Sequence, residues 1–190
     1  IENFVLVKQG QLQADKTRAL RASGPYPCRN SDQNMADLSA QIAANATGAA
    51  ELSKVVAQYS LDVVHAYMKH VQDNAEESVR RVIAVLKDSH FTYPLDSGAQ
   101  IKVQISVDKK ARSALIDFTG TSPQDPLNYN APLAVCRAVV LYVFRTLVGS
   151  DIPMNEGCMK PIELLVSKGS MIHPTYPAAV ISGNTEVSQA

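Results

Sequence analysis

The segment Asn128 to Gly157, NYNAPLAVCRAVVLYVFRTLVGSDIPMNEG, decides how the rest of the chain is read. From Ala134 to Val148 only Arg137 and Arg145 carry charge, while Val135, Val139, Val140, Leu141, Tyr142, Val143, Phe144, Leu147 and Val148 cover nearly the whole helical circumference. A helix apolar all round belongs inside a protein, so the segment predicts a buried helix over 131–148. Asn130 or Ala131 as N-cap, with Pro132 in the first turn, marks its start. Gly149 and then Pro153 mark its end. Arg137, Leu141 and Arg145 form one i, i+4, i+8 row. Their guanidinium groups therefore share a side, where they either pair with carboxylates and helix-end carbonyls or face an anionic ligand.

On the N-terminal side of this helix the hydrophobic period is two. Ile101, Val103, Ile105 and Val107 alternate with Lys102, Gln104 and Ser106, and Ser113 to Thr119 returns after a polar turn, which predicts a hairpin over about 100–119. Asp117 stands where that hairpin leaves into a turn and is a candidate for a polar role beside a loop. On the C-terminal side, Ile162 to Val166, Met171 to His173 and Ala178 to Ser182 read as short strands, an antiparallel hairpin over about 162–182. Asn184 or Thr185 would cap a helix beginning at Glu186.

Earlier in the chain the period is helical. Leu38, Ile42, Ala49, Leu52, Val56 and Tyr59 share one stripe, with Gln41 and Asn45 beside them, and predict a helix over about 34–58. Leu61, Val64, Met68, Val71, Ala75, Val79, Val82 and Leu86 predict a second amphipathic helix over about 61–87, with Glu76–Arg80 and Glu77–Arg81 as i, i+4 ion pairs on its outer face. Amides on an apolar stripe need partners, so Gln41 and Asn45 are expected to bond backbone or line a wet cavity. Before these helices, Gly24-Pro25-Tyr26-Pro27 predicts an extended approach to Cys28. Without repeats or low-complexity linkers, residues 1–190 read as one α+β unit.

Composition narrows the function. Lysine plus arginine and aspartate plus glutamate number 18 each, so no global field favours nucleic acid or an anionic membrane. The longest apolar run is interrupted by Arg137 and Arg145 and does not span a bilayer. Cys28, Cys136 and Cys158 suit reduced thiols of a cytoplasmic enzyme, and neither CxxC nor a Cys/His zinc pattern is present, so no metal site is expected within the chain. Neither GxSxG, HExxH, a Walker loop nor GxGxxG occurs. What remains is a set of polar corners beside apolar structure: Arg29 to Asn34, Asn128 to Asn130, Asn155-Glu156 and Asn184 to Glu186. Such corners suit a cleft, and they also suit ordinary caps and turns.

Several of these corners carry a resemblance. Tyr26 to Gln41, YPCRNSDQNMADLSAQ, resembles the RNPDQNIADLxAQ signature of the hydantoinase B/oxoprolinase family. Asp117 to Ser122, Asn130-Ala131-Pro132, Asp151 to Cys158 and Gly183 to Glu186 with Ser188-Gln189 resemble further family segments, in family order, over nearly the whole chain. Leu61 to Met68 with Asn74-Ala75-Glu76 is similar to the branch that opens 5-oxo-L-proline to L-glutamate with ATP hydrolysis.

The resemblance implies a piece of an ATP-dependent cyclic-amide hydrolase, inactive alone. ATP would be bound by a hydantoinase A-type domain or subunit outside this chain, within an oligomer when intact. The metal-site segment of related carboxylases would lie upstream of Ile1, which leaves a divalent metal outside this piece. On the matching corners, Asp32, Glu156 and Glu186 are the candidate catalytic residues, and Arg29, Asn155 and Asn184 the candidate substrate-binding ones, gathered around the helix at 131–148. Two other assignments stay open: part of an N-methylhydantoinase or ketone carboxylase subunit, or a non-catalytic module docking the ATP-binding partner.

Overall fold

The structure is a computed structural model that describes residues 4–24 and 27–190. The expected extended run at Gly24 to Pro27 includes Pro25 and Tyr26, which lie outside the described residues. The chain divides into two compact units, residues 1–65 and 66–190.

In the first unit, β1 (Val7–Lys8) and β2 (Gln11–Leu12) pair antiparallel across a turn in which Gln9 and Gly10 have positive φ. They precede α1 (Ala14–Ala22) and α2 (Ser31–Tyr59). The start of α2 follows from chemistry: the Asn30 side chain accepts a hydrogen bond from the Gln33 backbone N–H at 3.3 Å and satisfies a donor that the helix cannot. Met35 in its first turns is buried. Farther along, Leu52, Val55 and Tyr59 are exposed, as are Gln41 and Asn45, so these two amides meet solvent rather than internal partners. Ser60, at φ 74°, ends the helix.

α3 (Leu61–Val85) leads into the second unit. There Ala75, Val79 and Ile83, spaced i, i+4, i+8, are wholly buried, whereas Met68 and Val71 remain exposed. The expected Glu76–Arg80 and Glu77–Arg81 pairs form, at 2.7 and 3.3 Å. Arg80 also donates to the carbonyls of Ala111 and Arg112, and Arg112 grips Glu77 with two nitrogens at 2.9 and 3.0 Å, so α3 holds the turn at 109–112.

The sheet has the order β3 (Ser89–Pro94), β4 (Gln100–Asp108), β5 (Ser113–Asp117), β6 (Ile162–Leu165). The β4–β5 hairpin matches its sequence reading, with Ile105 opposite Ile116. β3 extends it antiparallel, with Phe91 opposite Val103. The expected antiparallel hairpin over 162–182 is not formed. β6 pairs parallel with β5, and residues after it make only isolated bridges at Ser170 and His173. The reason is topological: the chain from β5 to β6 crosses over through α4 (Leu133–Leu147), and a helical crossover returns the next strand parallel.

α4 is buried on one face only, a second departure from expectation. Cys136, Val140 and Phe144 are sealed in the core, while Tyr142, Val143 and Leu147 are 61%, 46% and 48% exposed. An apolar cavity of about 180 Å³ remains between α4 and the sheet, lined by Val139 and Val143 on one side and Phe91, Val103 and Ile105 on the other. The arginine row pairs as its first reading expects: Arg137 to Glu156 at 2.6 Å, and Arg145 to the Ile152 carbonyl at 2.6 Å and Asp151 at 3.3 Å. No helix among the described residues is long and apolar enough to cross a membrane.

Candidate functional site

The turn ahead of α4 is organised by one asparagine that sequence reasoning assigned elsewhere. Asn130 does not cap α4: the cap is Pro132, and no side chain serves there. Instead Asn130 is wholly buried, and its amide ties two segments together. Its Oδ1 accepts the Asp125 N–H at 2.7 Å, and its Nδ2 donates to the carbonyls of Asp125 at 2.9 Å and Ala179 at 2.8 Å. Backbone bonds complete the knot: Ile181 N–H donates to the Asn130 carbonyl, and Ser182 and Gly183 N–H groups donate to that of Asn128. Gly183 is required by this closeness, since a Cβ there would stand 2.4 Å from the Asn130 carbonyl carbon.

The knot seats α5 (Ser182–Gln189), which carries Asn184 and Glu186, about one turn earlier than a cap at Asn184 or Thr185 would allow. Ile181 is its N-cap residue, at φ 128°. Glu186 then lines a polar cleft of about 390 Å³. Tyr129, the neighbour of Asn130, lies on its wall with Tyr93 from the end of β3. Pro94, Leu95, Asp96 and Ser97 of the β3–β4 connection close it. Neither Asn155 nor Glu156 lines this cleft.

The six expected residues separate by whether their hydrogen-bonding capacity is already used. Asn155 caps the 3-10 turn Glu156–Met159, accepting from Gly157 N–H at 2.8 Å and donating to the Pro153 carbonyl at 3.0 Å. Glu156 pairs with Arg137 and so pins the same loop to α4. In the first unit, Asp32 pairs with Arg18 at 2.7 Å. Arg29 is exposed there and makes no side-chain hydrogen bond among the described residues. Asn184 Oδ1 is buried without a partner, and the Glu186 carboxylate accepts no hydrogen bond among the described residues. Asp117 accepts the Thr119 N–H at 2.7 Å, the ordinary work of a turn aspartate.

Two cysteines are chemically distinct. Cys136, on the buried face of α4, has its thiol pKa pushed up to about 11 by burial. Partial desolvation also acts to raise that of Cys28, but hydrogen bonds from Arg21, the Asn30 backbone and Asn34 outweigh it and hold the pKa below the ordinary thiol value. All three cysteines are free thiols.

Tyr93, Tyr129 and Asp96 were not singled out by sequence reasoning as site residues. Tyr129 had a usable signal, its place inside the Asn128–Asn130 corner; Asp96 had none beyond a turn-like setting.

A family model described as hydantoinase B/oxoprolinase matches residues 1–190. The chain is 35% identical over 198 residues to 5-oxoprolinase of Dictyostelium discoideum, an alignment covering 100% of this chain and 15% of the relative. Its fold resembles the crystal structure of an ATP-dependent caprolactamase from Pseudomonas jessenii, with a TM-score of 0.69 at 20% identity over 95% of this chain and 31% of that one. The nucleotide-free structure of acetone carboxylase gives a TM-score of 0.71 at 14% identity, over 94% of this chain and 26% of that one. These two likenesses are of fold alone. The chain spans about 15% of the length of the curated 5-oxoprolinase it matches.

Proposed function

The chain belongs to the hydantoinase B/oxoprolinase family, and from that premise we propose that it presents a carboxylate to the ring-opening step of an ATP-dependent cyclic-amide hydrolase acting on 5-oxo-L-proline. The observation that carries this reading is Glu186: a carboxylate without a partner among the described residues, in a cleft with two tyrosines, seated by a buried hydrogen-bonded knot. The name of the 35% identical Dictyostelium relative supports the substrate. In this role Glu186 accepts a hydrogen bond from water and aims its oxygen at the lactam carbon. Glu186 takes a proton as the water O–H bond breaks, the water oxygen bonds the lactam carbon, the carbon–nitrogen bond breaks, and the proton passes to the freed ring nitrogen.

The cleft does not suit ATP. A triphosphate would face Asp96 and Glu186, and no lysine or arginine lines the wall to offset them. The nucleotide is therefore assigned to an A-type domain or subunit outside this chain, in a cytoplasmic assembly, and any divalent metal to a segment outside this piece.

The test is 5-oxo-L-proline-dependent ATP hydrolysis by the intact enzyme. Glu186→Gln is expected to lower turnover by about 100-fold or more at unchanged melting temperature. Glu156→Gln, which removes only a loop contact, is expected to lower it far less. Wild-type turnover in Glu186→Gln overturns the assignment. Parallel assays with hydantoins, and with ketones plus bicarbonate, identify a sibling activity.

A further inference from the structure

We propose that the cleft beside Glu186 takes the uncharged amide edge of a cyclic amide and turns away any carboxylate the ligand carries, with Asp96 and Tyr129 as positioning residues; this rests on the reading above. The cleft offers two kinds of polar group. Asp96 and Glu186 are carboxylates that accept hydrogen bonds, while Tyr93, Tyr129 and Ser97 bring hydroxyls that donate them. No lysine, arginine or histidine is among its lining residues.

A lactam shows its N–H and its carbonyl oxygen side by side on one edge of the ring. That pattern needs one acceptor and one neutral donor close together, which a carboxylate beside a tyrosine or serine hydroxyl supplies. The ring itself, flat and largely apolar, suits the tyrosine faces. A ligand carboxylate in the same place would meet two like charges and no cation, and like charges in a partly enclosed cleft repel strongly. The carboxylate of 5-oxo-L-proline must then point out of this cleft, toward a cationic group that the cleft does not contain. The site thereby reads the ring and its amide edge, and leaves the reading of the acid to another part of the enzyme.

The experiment follows the ring signals of Tyr93 and Tyr129 by NMR while the chain is titrated with 2-pyrrolidinone, N-methyl-2-pyrrolidinone or 5-oxo-L-proline. We expect 2-pyrrolidinone to shift both tyrosines at the lowest concentration. The N-methyl compound, which has no N–H, should bind about tenfold more weakly, and 5-oxo-L-proline should be weaker by a similar factor, one step of about tenfold in affinity. Asp96→Asn should narrow the gap between 5-oxo-L-proline and 2-pyrrolidinone, and Tyr129→Phe should weaken 2-pyrrolidinone without changing that gap. Folding of each variant is checked by its amide spectrum. Equal binding of the acid and the neutral lactam, equal binding with and without the N–H, or no shift of either tyrosine with any probe overturns the proposal. Its fate is separate from that of the hydrolase reading: turnover of the intact enzyme with an indifferent cleft removes only this inference, and a discriminating cleft in an enzyme without lactam turnover removes only the reading.

Discussion

Asn130 gives the sharpest test, because two accounts of it predict different magnitudes. As a helix N-cap, its replacement by alanine would cost about 1 kcal/mol, and serine, an equally good cap, would cost almost nothing. The structure instead gives its side chain three short hydrogen bonds in a wholly buried position: from the Asp125 N–H, and to the carbonyls of Asp125 and Ala179. At a net ~1 kcal/mol each, their loss costs about 3 kcal/mol, more if the stranded carbonyl of Ala179 stays buried. Serine is too short to bridge the two segments and should cost nearly as much as alanine. Urea unfolding of Asn130→Ala and Asn130→Ser, followed by circular dichroism, measures both. A drop of about 3 kcal/mol corresponds to a melting shift of roughly 6–12 °C for a chain of this size. If Asn130→Ser is within ~1 kcal/mol of wild type, the knot is not what holds α5, and the argument that it seats Glu186 fails.

Three other outcomes follow from the same kind of reasoning. Gly157→Ala puts a Cβ 2.1 Å from the Gln72 carbonyl oxygen, backbone that cannot swing aside, and should destabilise by about 1–3 kcal/mol in urea unfolding, whereas Gly149→Ala, with nothing within 4 Å, should change little. The pKa of Glu76 is held below its ordinary 4.5 chiefly by the hydrogen bond to Arg80, with Lys160 assisting against partial desolvation. A lowered folded-state pKa means that this stabilisation is complete above the unfolded value and is lost as pH falls through the folded one. The melting temperature should therefore fall below about pH 4.5, and Glu76→Gln should flatten that fall. Iodoacetamide at neutral pH should modify Cys28 well before Cys136, and Asn34→Ala, which removes the 2.9 Å contact to Sγ, should slow Cys28 several-fold; equal rates at the two thiols would contradict the shifts.

The helices were legible because their signals are local. The 3–4 spacing through Ala75, Val79 and Leu86, and the helix-ending Gly149, lie within a few residues of what they specify. The β4–β5 hairpin was legible for the same reason. Strand direction at β6 was not, since Ile162 to Leu165 has the same composition whichever way its neighbour runs; the α4 crossover fixes it. Burial of α4 was overread because an apolar circumference in sequence does not say that every side has a neighbour, and Tyr142 and Leu147 have little cover here. The stripe of α2 was overread in the same way at Leu52 and Tyr59.

The polar corners pose a different problem, since a residue type that builds a turn is the type that builds a site. Asn130 and Asn184 are both asparagines beside apolar structure, and composition cannot rank them. What separates them is whether their hydrogen bonds are already made. Asn130, Asn155, Glu156 and Asp32 bond to partners within the described chain. Glu186 does not, and Asn184 keeps a buried oxygen unpaired. A buried or half-buried polar group left without a partner costs free energy in the folded chain, so a sequence retains it where something outside the fold completes it. Glu186 lines a cleft, and the one-residue step from the buried Asn130 to Tyr129 joins stability to the wall of that cleft. Substitutions at Asn130 should therefore disturb ligand contact at Tyr129, while substitutions at Glu186 should leave stability untouched.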